Sequence, residues 1–126
     1  IVHSMAHQLG AVYDTPHGLA NAILLPTVMR YNGQDSETAQ RFREILINIG
    51  RPDAAHLNDQ DVINTFVWKI SELSKEVGIT QTIKDVGAKE EDFGMLADKA
   101  MEDPCKPGNP REVSREDFIE LYRQAM

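Results

Sequence analysis

A single cysteine, Cys105, leaves no partner for an internal disulfide, so a reducing, cytoplasmic setting is the expectation. No apolar run approaches the roughly 20 residues that a helix needs to cross a bilayer, and no signal-peptide pattern opens the chain. Basic residues are outnumbered, with 13 Lys and Arg against 20 Asp and Glu, and the net charge of −7 argues against non-specific binding to nucleic acid or to an anionic membrane. Alternating apolar and polar runs bounded by turn residues are missing too, as are repeats and low-complexity tracts, so strands are not expected. What is present is an ordinary globular composition, 41% hydrophobic and 26% charged, on 126 residues that suit one domain with its own core.

Helical spacing recurs along the chain. Leu19 to Leu25 is almost wholly apolar, which places that helix in the middle of the domain, with Pro26 expected to kink or end it and Asn32-Gly33 to stop any continuation. From about Glu37, Phe42, Ile45, Leu46 and Ile49 fall at i, i+3, i+4 and i+7 before Gly50, and read as the apolar face of an amphipathic helix. From Asp59, with Asn58 as its cap and Gly78 as its stop, Val62, Ile63, Phe66, Val67, Ile70, Leu73 and Val77 repeat the pattern. Around Ile83 and Val86 one short turn of helix is expected. Phe93, Leu96, Ala97, Ala100 and Met101 mark a further helix closed by Pro104, with Glu90, Glu91 and Asp92 at its start, where negative charge suits the dipole. Asp103 to Pro110, with three prolines and a glycine, reads as a constrained loop. Ser114 with Asp117 three residues on is a variant capping box for a last helix through Phe118, Ile119, Tyr122 and Ala125. The fold class expected is all-α, a bundle of five to seven helices over residues 1–126.

Three of the four histidines lie within the first seventeen residues. His3 and His7 are four apart and on a helix share one face. Ala6 and Gly10 would form small walls beside them, while Met5, Leu9 and Val12 point away to pack. Thr15 as N-cap and Pro16 at the first helical position would put His17 in the first turn of the next helix. The positive end of the dipole favours a neutral imidazole there, and a neutral imidazole is what a divalent metal takes. Two imidazoles do not complete a catalytic site, which usually has three or more protein ligands. On spacing alone, His3 and His7 also read as a pair satisfied by hydrogen bonds between packed helices, and His17 as a polar surface residue. His56, in a polar loop, reads as solvated, and Cys105, with only Lys106 as a nearby charge, as structural. Trp68 reads as core or interface surface. Arg111, before the last helix, is expected to pair with an acidic side chain.

His3-x-x-x-His7-x-x-Gly10, then Pro16-His17-Gly18, then Leu24-Leu25-Pro26, Met29-Arg30-Tyr31-Asn32, Asp85-Val86-Gly87, Asn109-Pro110-Arg111-Glu112 and Leu121-Tyr122 together resemble the iron-containing (group III) alcohol dehydrogenases, in particular their lactaldehyde and propanediol oxidoreductase branch. The resemblance implies a C-terminal, metal-binding domain of a two-domain dehydrogenase, in which His3 and His17 match two metal ligands. His7 matches a pocket histidine near the nicotinamide and the substrate, a catalytic role favoured here over that of a third ligand. The family's other two ligands, an Asp and a His on an Asp-x-x-x-His helix, and its dinucleotide-binding domain are expected upstream of Ile1. The implied cofactors are Fe²⁺, sometimes replaced by Zn²⁺, and NAD(P), bound mainly by that upstream domain. The implied substrate is a short alcohol, diol or aldehyde, with hydride transfer as the reaction and a homo-oligomer as the assembly. The residues shown are expected to be inactive alone. The rival reading is a free-standing helical interaction or structural module with weak or no metal binding.

Overall fold

Six α-helices and no strand make up the structure, a computed structural model that describes all 126 residues. The first two helices, α1 (Val2–Tyr13) and α2 (His17–Asn32), are joined by three residues. Asp14 takes a left-handed conformation (φ 55°, ψ 32°), which Asp and Asn tolerate better than most residues, and its N–H returns to the Gly10 carbonyl at 3.1 Å. This turn brings the start of α2 back beside α1. Pro16, not Thr15, occupies the cap position, so His17 is the first helical residue; the Thr15 hydroxyl caps nothing and is buried without a partner.

Pro26 neither ends nor divides α2, contrary to the sequence expectation. Proline removes one backbone hydrogen bond and crowds the preceding turn. Here the helix packs against α1, α4 and α6, and this burial on several sides holds it continuous. Ala20, Leu24 and Val28 are fully buried, as the apolar run predicts.

After α2 the chain turns at Gly33, where a Cβ would lie 2.7 Å from the Ile63 side chain, so only glycine fits the approach of α2 to the later helix. Asp35 caps α3 (Ser36–Asn48) by accepting from the Thr38 N–H at 2.9 Å. One 3₁₀ turn (Pro52–His56) follows, and Asn58 caps α4 (Asp59–Glu76) through the Asp61 N–H at 2.8 Å, as the sequence predicts. Phe42 and Leu46 are buried between α3 and α4, but Ile45 and Ile49, assigned by spacing to the same buried face, are exposed, as are Leu73, Val77 and Trp68.

A 3₁₀ turn (Glu90–Asp92) leads into α5 (Phe93–Met101), and the capping box of Ser114 and Asp117 opens α6 (Arg115–Gln124). The main core lies among α1, α2, α5 and α6: Met5, Leu9, Leu24, Ile83, Phe93, Leu96, Phe118 and Tyr122 have at most 1% exposure. Fully burying a side chain of this size contributes about 1.5–3 kcal/mol. Tyr122 stacks on Phe93 and donates its hydroxyl to the Met5 carbonyl at 3.0 Å, which ties α6 to the helix that carries His3 and His7. Burial pushes the Tyr122 phenol far up, so it stays a donor.

A candidate metal centre

His3, His7 and His17 come together on one face of the bundle. Ring centroids lie 5.9 Å apart for His3 and His7, 5.3 Å for His3 and His17, and 5.6 Å for His7 and His17. The first pair follows from the four-residue spacing on α1. The third member is delivered by the tight turn at Asp14. Behind them Met5 and Leu9 anchor α1 in the core; Ala6 is buried there as well and forms no groove wall, while Gly10 stays partly open. His3 and His17 are exposed and His7 is half-buried. His56 lies on the exposed 3₁₀ turn after α3.

Asn21 carries no signal in the sequence pattern. Its amide Nδ2 lies 2.9 Å from the His17 carbonyl and 3.1 Å from His17 Nε2. An amide N–H can only donate, so His17 Nε2 accepts with its lone pair, and a cation at that nitrogen would displace the amide. Asn21 Oδ1 is buried without a hydrogen-bond partner beside it. Two imidazoles on anchored helices, one of them unprotonated at Nε2 and with an unpartnered amide oxygen on the neighbouring Asn21, fit a divalent transition metal of borderline softness such as Fe²⁺ or Zn²⁺.

Asp103 and Cys105 also belong to this region, although spacing alone marks the one only as part of a loop and the other as structural. His7 Nδ1 and Asp103 Oδ2 lie 2.8 Å apart, and Asp103 Oδ1 accepts from the Cys105 N–H at 2.8 Å. Burial raises the Asp103 carboxyl, but the hydrogen bonds from His7 and from Cys105 outweigh it and hold the group below the usual carboxylate range. His7, Asp103 and Cys105 bring one donor atom each within 4.8 Å of one another. The 2.8 Å separation of Nδ1 and Oδ2 is already a hydrogen bond, and desolvation and then Asp103 push the Cys105 thiol up, away from the thiolate that a metal needs. Those three form a hydrogen-bonded network, not an ion cage.

The loop that delivers Asp103 is pinned to the end of α2. Asn109 and Asn32 exchange amide hydrogen bonds at 2.8 and 2.9 Å. Arg111 pairs with no carboxylate, contrary to expectation: it donates to the Tyr31 carbonyl at 2.9 Å and its guanidinium lies 3.9 Å from the centre of the Tyr31 ring. A flat cation can satisfy itself on a backbone carbonyl and an aromatic face, and sequence spacing does not distinguish this from an ion pair.

The largest cavity lies elsewhere. It measures about 440 Å³ between α3 and α4 and is walled mainly by apolar side chains such as Ile45, Ile49, Trp68 and Leu73. Its lining offers no group of metal-binding histidines. The imidazole cluster is the candidate centre because its chemistry decides, and it is an open wall: no cavity of the chain encloses it.

The Fe-containing alcohol dehydrogenase family, C-terminal part, matches residues 1–126. The chain is 45% identical over 125 residues to a lactaldehyde reductase of Escherichia coli K12, covering 99% of this chain and 32% of that protein. It is 40% identical over 124 residues to a 1,3-propanediol dehydrogenase of Citrobacter freundii, covering 98% and 31%. The solved structure of an alcohol dehydrogenase from Oenococcus oeni superimposes with a TM-score of 0.89 at 39% identity, covering 99% of this chain and 32% of that one. The chain thus spans about a third of the length of these relatives.

Proposed function

From the premise that this chain belongs to the Fe-containing alcohol dehydrogenase family, as its C-terminal part, we propose that it forms the metal-holding wall of a reversible, nicotinamide-dependent alcohol dehydrogenase. The substrate class is a short primary alcohol or diol and the corresponding aldehyde, in line with the relatives named as lactaldehyde reductase and 1,3-propanediol dehydrogenase. The observation that carries this reading is the convergence of His3 and His17, from two separate helices, to a ring separation of 5.3 Å.

His3 and His17 would hold Fe²⁺, or Zn²⁺ in its place, together with ligands from outside this chain. When bound, the metal supplies Lewis-acid polarisation at the alcohol or carbonyl oxygen. The chain's own residues do the rest on this wall. α1 and α2, fixed by Met5, Leu9, Ala20 and Leu24 in the core, set the two imidazoles at a constant separation. His7, one turn along from His3, stands beside the reacting carbon and passes a proton between the alcohol oxygen and solvent. Its half-exposed position suits that task, since one side meets the site and the other the Asp103 loop. NAD(P) is bound mainly by the upstream domain, and the residues described here are inactive alone.

The test is reconstitution of the full-length protein, stripped of metal, with Fe²⁺ or Zn²⁺ under anaerobic conditions, followed by nicotinamide absorbance with lactaldehyde and 1,3-propanediol. Activity that returns only with metal and is absent in a His3→Ala, His17→Ala variant supports the reading. Full activity in that variant overturns it.

A further inference from the structure

We propose that Asp103 is a positioning residue for His7: it fixes the imidazole with its proton on Nδ1 and leaves Nε2, on the other side of the ring, as the nitrogen offered to the reacting oxygen. This deepens the role given to His7 above and rests on that reading.

The geometry is that of a built device. Both oxygens of Asp103 are committed, Oδ2 to His7 Nδ1 at 2.8 Å and Oδ1 to the Cys105 N–H at 2.8 Å, so the carboxylate cannot rotate without losing one of them. Its side chain is only 7% exposed, against 39% for His7, so the fixed partner is the acid and the half-open one is the imidazole. An ionised carboxylate only accepts. At this separation Nδ1 must therefore be the donor, because the opposite tautomer would set a nitrogen lone pair against an anionic oxygen. A histidine whose second nitrogen is held by a carboxylate has its tautomer and orientation decided by that contact.

The chain also invests in holding the acid still. Asp103 begins the proline-rich loop, and that loop is tied to α2 across 77 residues through the reciprocal Asn32–Asn109 amides and across 80 through Arg111 on the Tyr31 carbonyl and ring. The end of α5 thereby presents Asp103 to α1, a separation of 96 residues in sequence, without relying on α5 alone.

The experiment uses the full-length, zinc-loaded protein, which is diamagnetic, with ¹⁵N-labelled histidine, in the unmodified form and with Asp103→Asn. Asparagine keeps the shape and can donate as well as accept, so it no longer dictates one tautomer. The unmodified protein should show His7 protonated at Nδ1, and the variant should show a mixture with protonated Nε2. Alongside, Asp103→Asn should lower kcat by roughly 10- to 100-fold, with metal content and the KM for the nicotinamide unchanged. In a His7→Ala background the same substitution should change nothing further. Retention of the Nδ1-protonated form in Asp103→Asn, or an equal loss of kcat with and without His7, would overturn the proposal. Failure of the underlying metal reading shows separately, as metal retained by the His3→Ala, His17→Ala variant, while the tautomer result is read whatever the activity.

Discussion

Around α1, α2, α5 and α6, nineteen apolar residues close into one core, whereas α3 and α4 close over a cluster of four, Phe42, Leu46, Ala54 and Val62. The same helical spacing of apolar residues runs through both regions. In the first it ends in burial: Met5, Leu9, Leu24, Leu96 and Phe118 are sealed from water. In the second, Ile45, Ile49, Leu73 and Val77 follow the pattern and remain at 44%, 56%, 60% and 65% exposure. Every histidine of the candidate centre is carried by the first region, and the Asp103 loop is pinned to it. A site that must hold two imidazoles at a set distance sits where packing is most complete, and the loosely covered half carries no part of it.

That contrast breaks if the two regions prove equally sensitive to truncation. Leu24→Ala removes a fully buried side chain from the larger core and should cost about 3–4 kcal/mol, and Leu46→Ala in the smaller cluster about 2–3 kcal/mol, both read from urea unfolding. Equal or reversed losses would mean that the small cluster is as well sealed as the large one.

A smaller effect sharpens the comparison at α6. The Ser114 N–H, and beyond the opposing cost of desolvation the Ser114 hydroxyl and Tyr31, hold the Asp117 carboxyl below its usual range. A depressed carboxyl adds stability above its unfolded pKa of about 4, and that stability is lost as pH falls through the lower folded value. Asp117→Asn should therefore cost roughly 0.3–0.5 kcal/mol at neutral pH, the low end for a charge at a helix N-terminus once solvent screening is allowed for, and progressively less below about pH 4. A cost that persists undiminished at low pH would point away from the ionised Asp117 carboxylate.

The smallest effects are expected where apolar side chains stand uncovered. Leu73→Ser and Trp68→Ser should change stability by no more than about 0.5 kcal/mol. The same exposed side chains lead us to expect self-association of the chain, seen in light scattering as a mass that rises with concentration and falls back in Leu73→Ser. A monodisperse monomer at high concentration would count against it.

Much of this was legible beforehand for reasons that are local. Caps at Asn58 and Ser114, the stop at Asn32-Gly33 and the buried α2 run are written in neighbouring residues, and the His3–His7 pair follows from one helical turn. His17 was reachable because three residues separate its helix from α1. Where the outcome depended on contacts far apart in sequence, spacing was silent: Asp103 meets His7 across 96 residues, and Arg111 prefers the Tyr31 carbonyl and ring to an acid. Pro26 inside α2 belongs to the same class, since neighbouring helices override a local breaker. Ile45 and Ile49 teach the converse, because amphipathic spacing specifies a face but not whether anything covers it.

In the proposed function, His3 and His17 hold the metal. Calorimetric titration of the metal-free, full-length protein with Zn²⁺, and anaerobically with Fe²⁺, tests it most directly, comparing the unmodified form with His3→Ala, His17→Ala and with His56→Ala, whose histidine lies in the other half. One tight site should survive His56→Ala and disappear from the double variant, whose unfolding midpoint should stay near that of the unmodified protein. Binding of equal strength and stoichiometry in the double variant would contradict it.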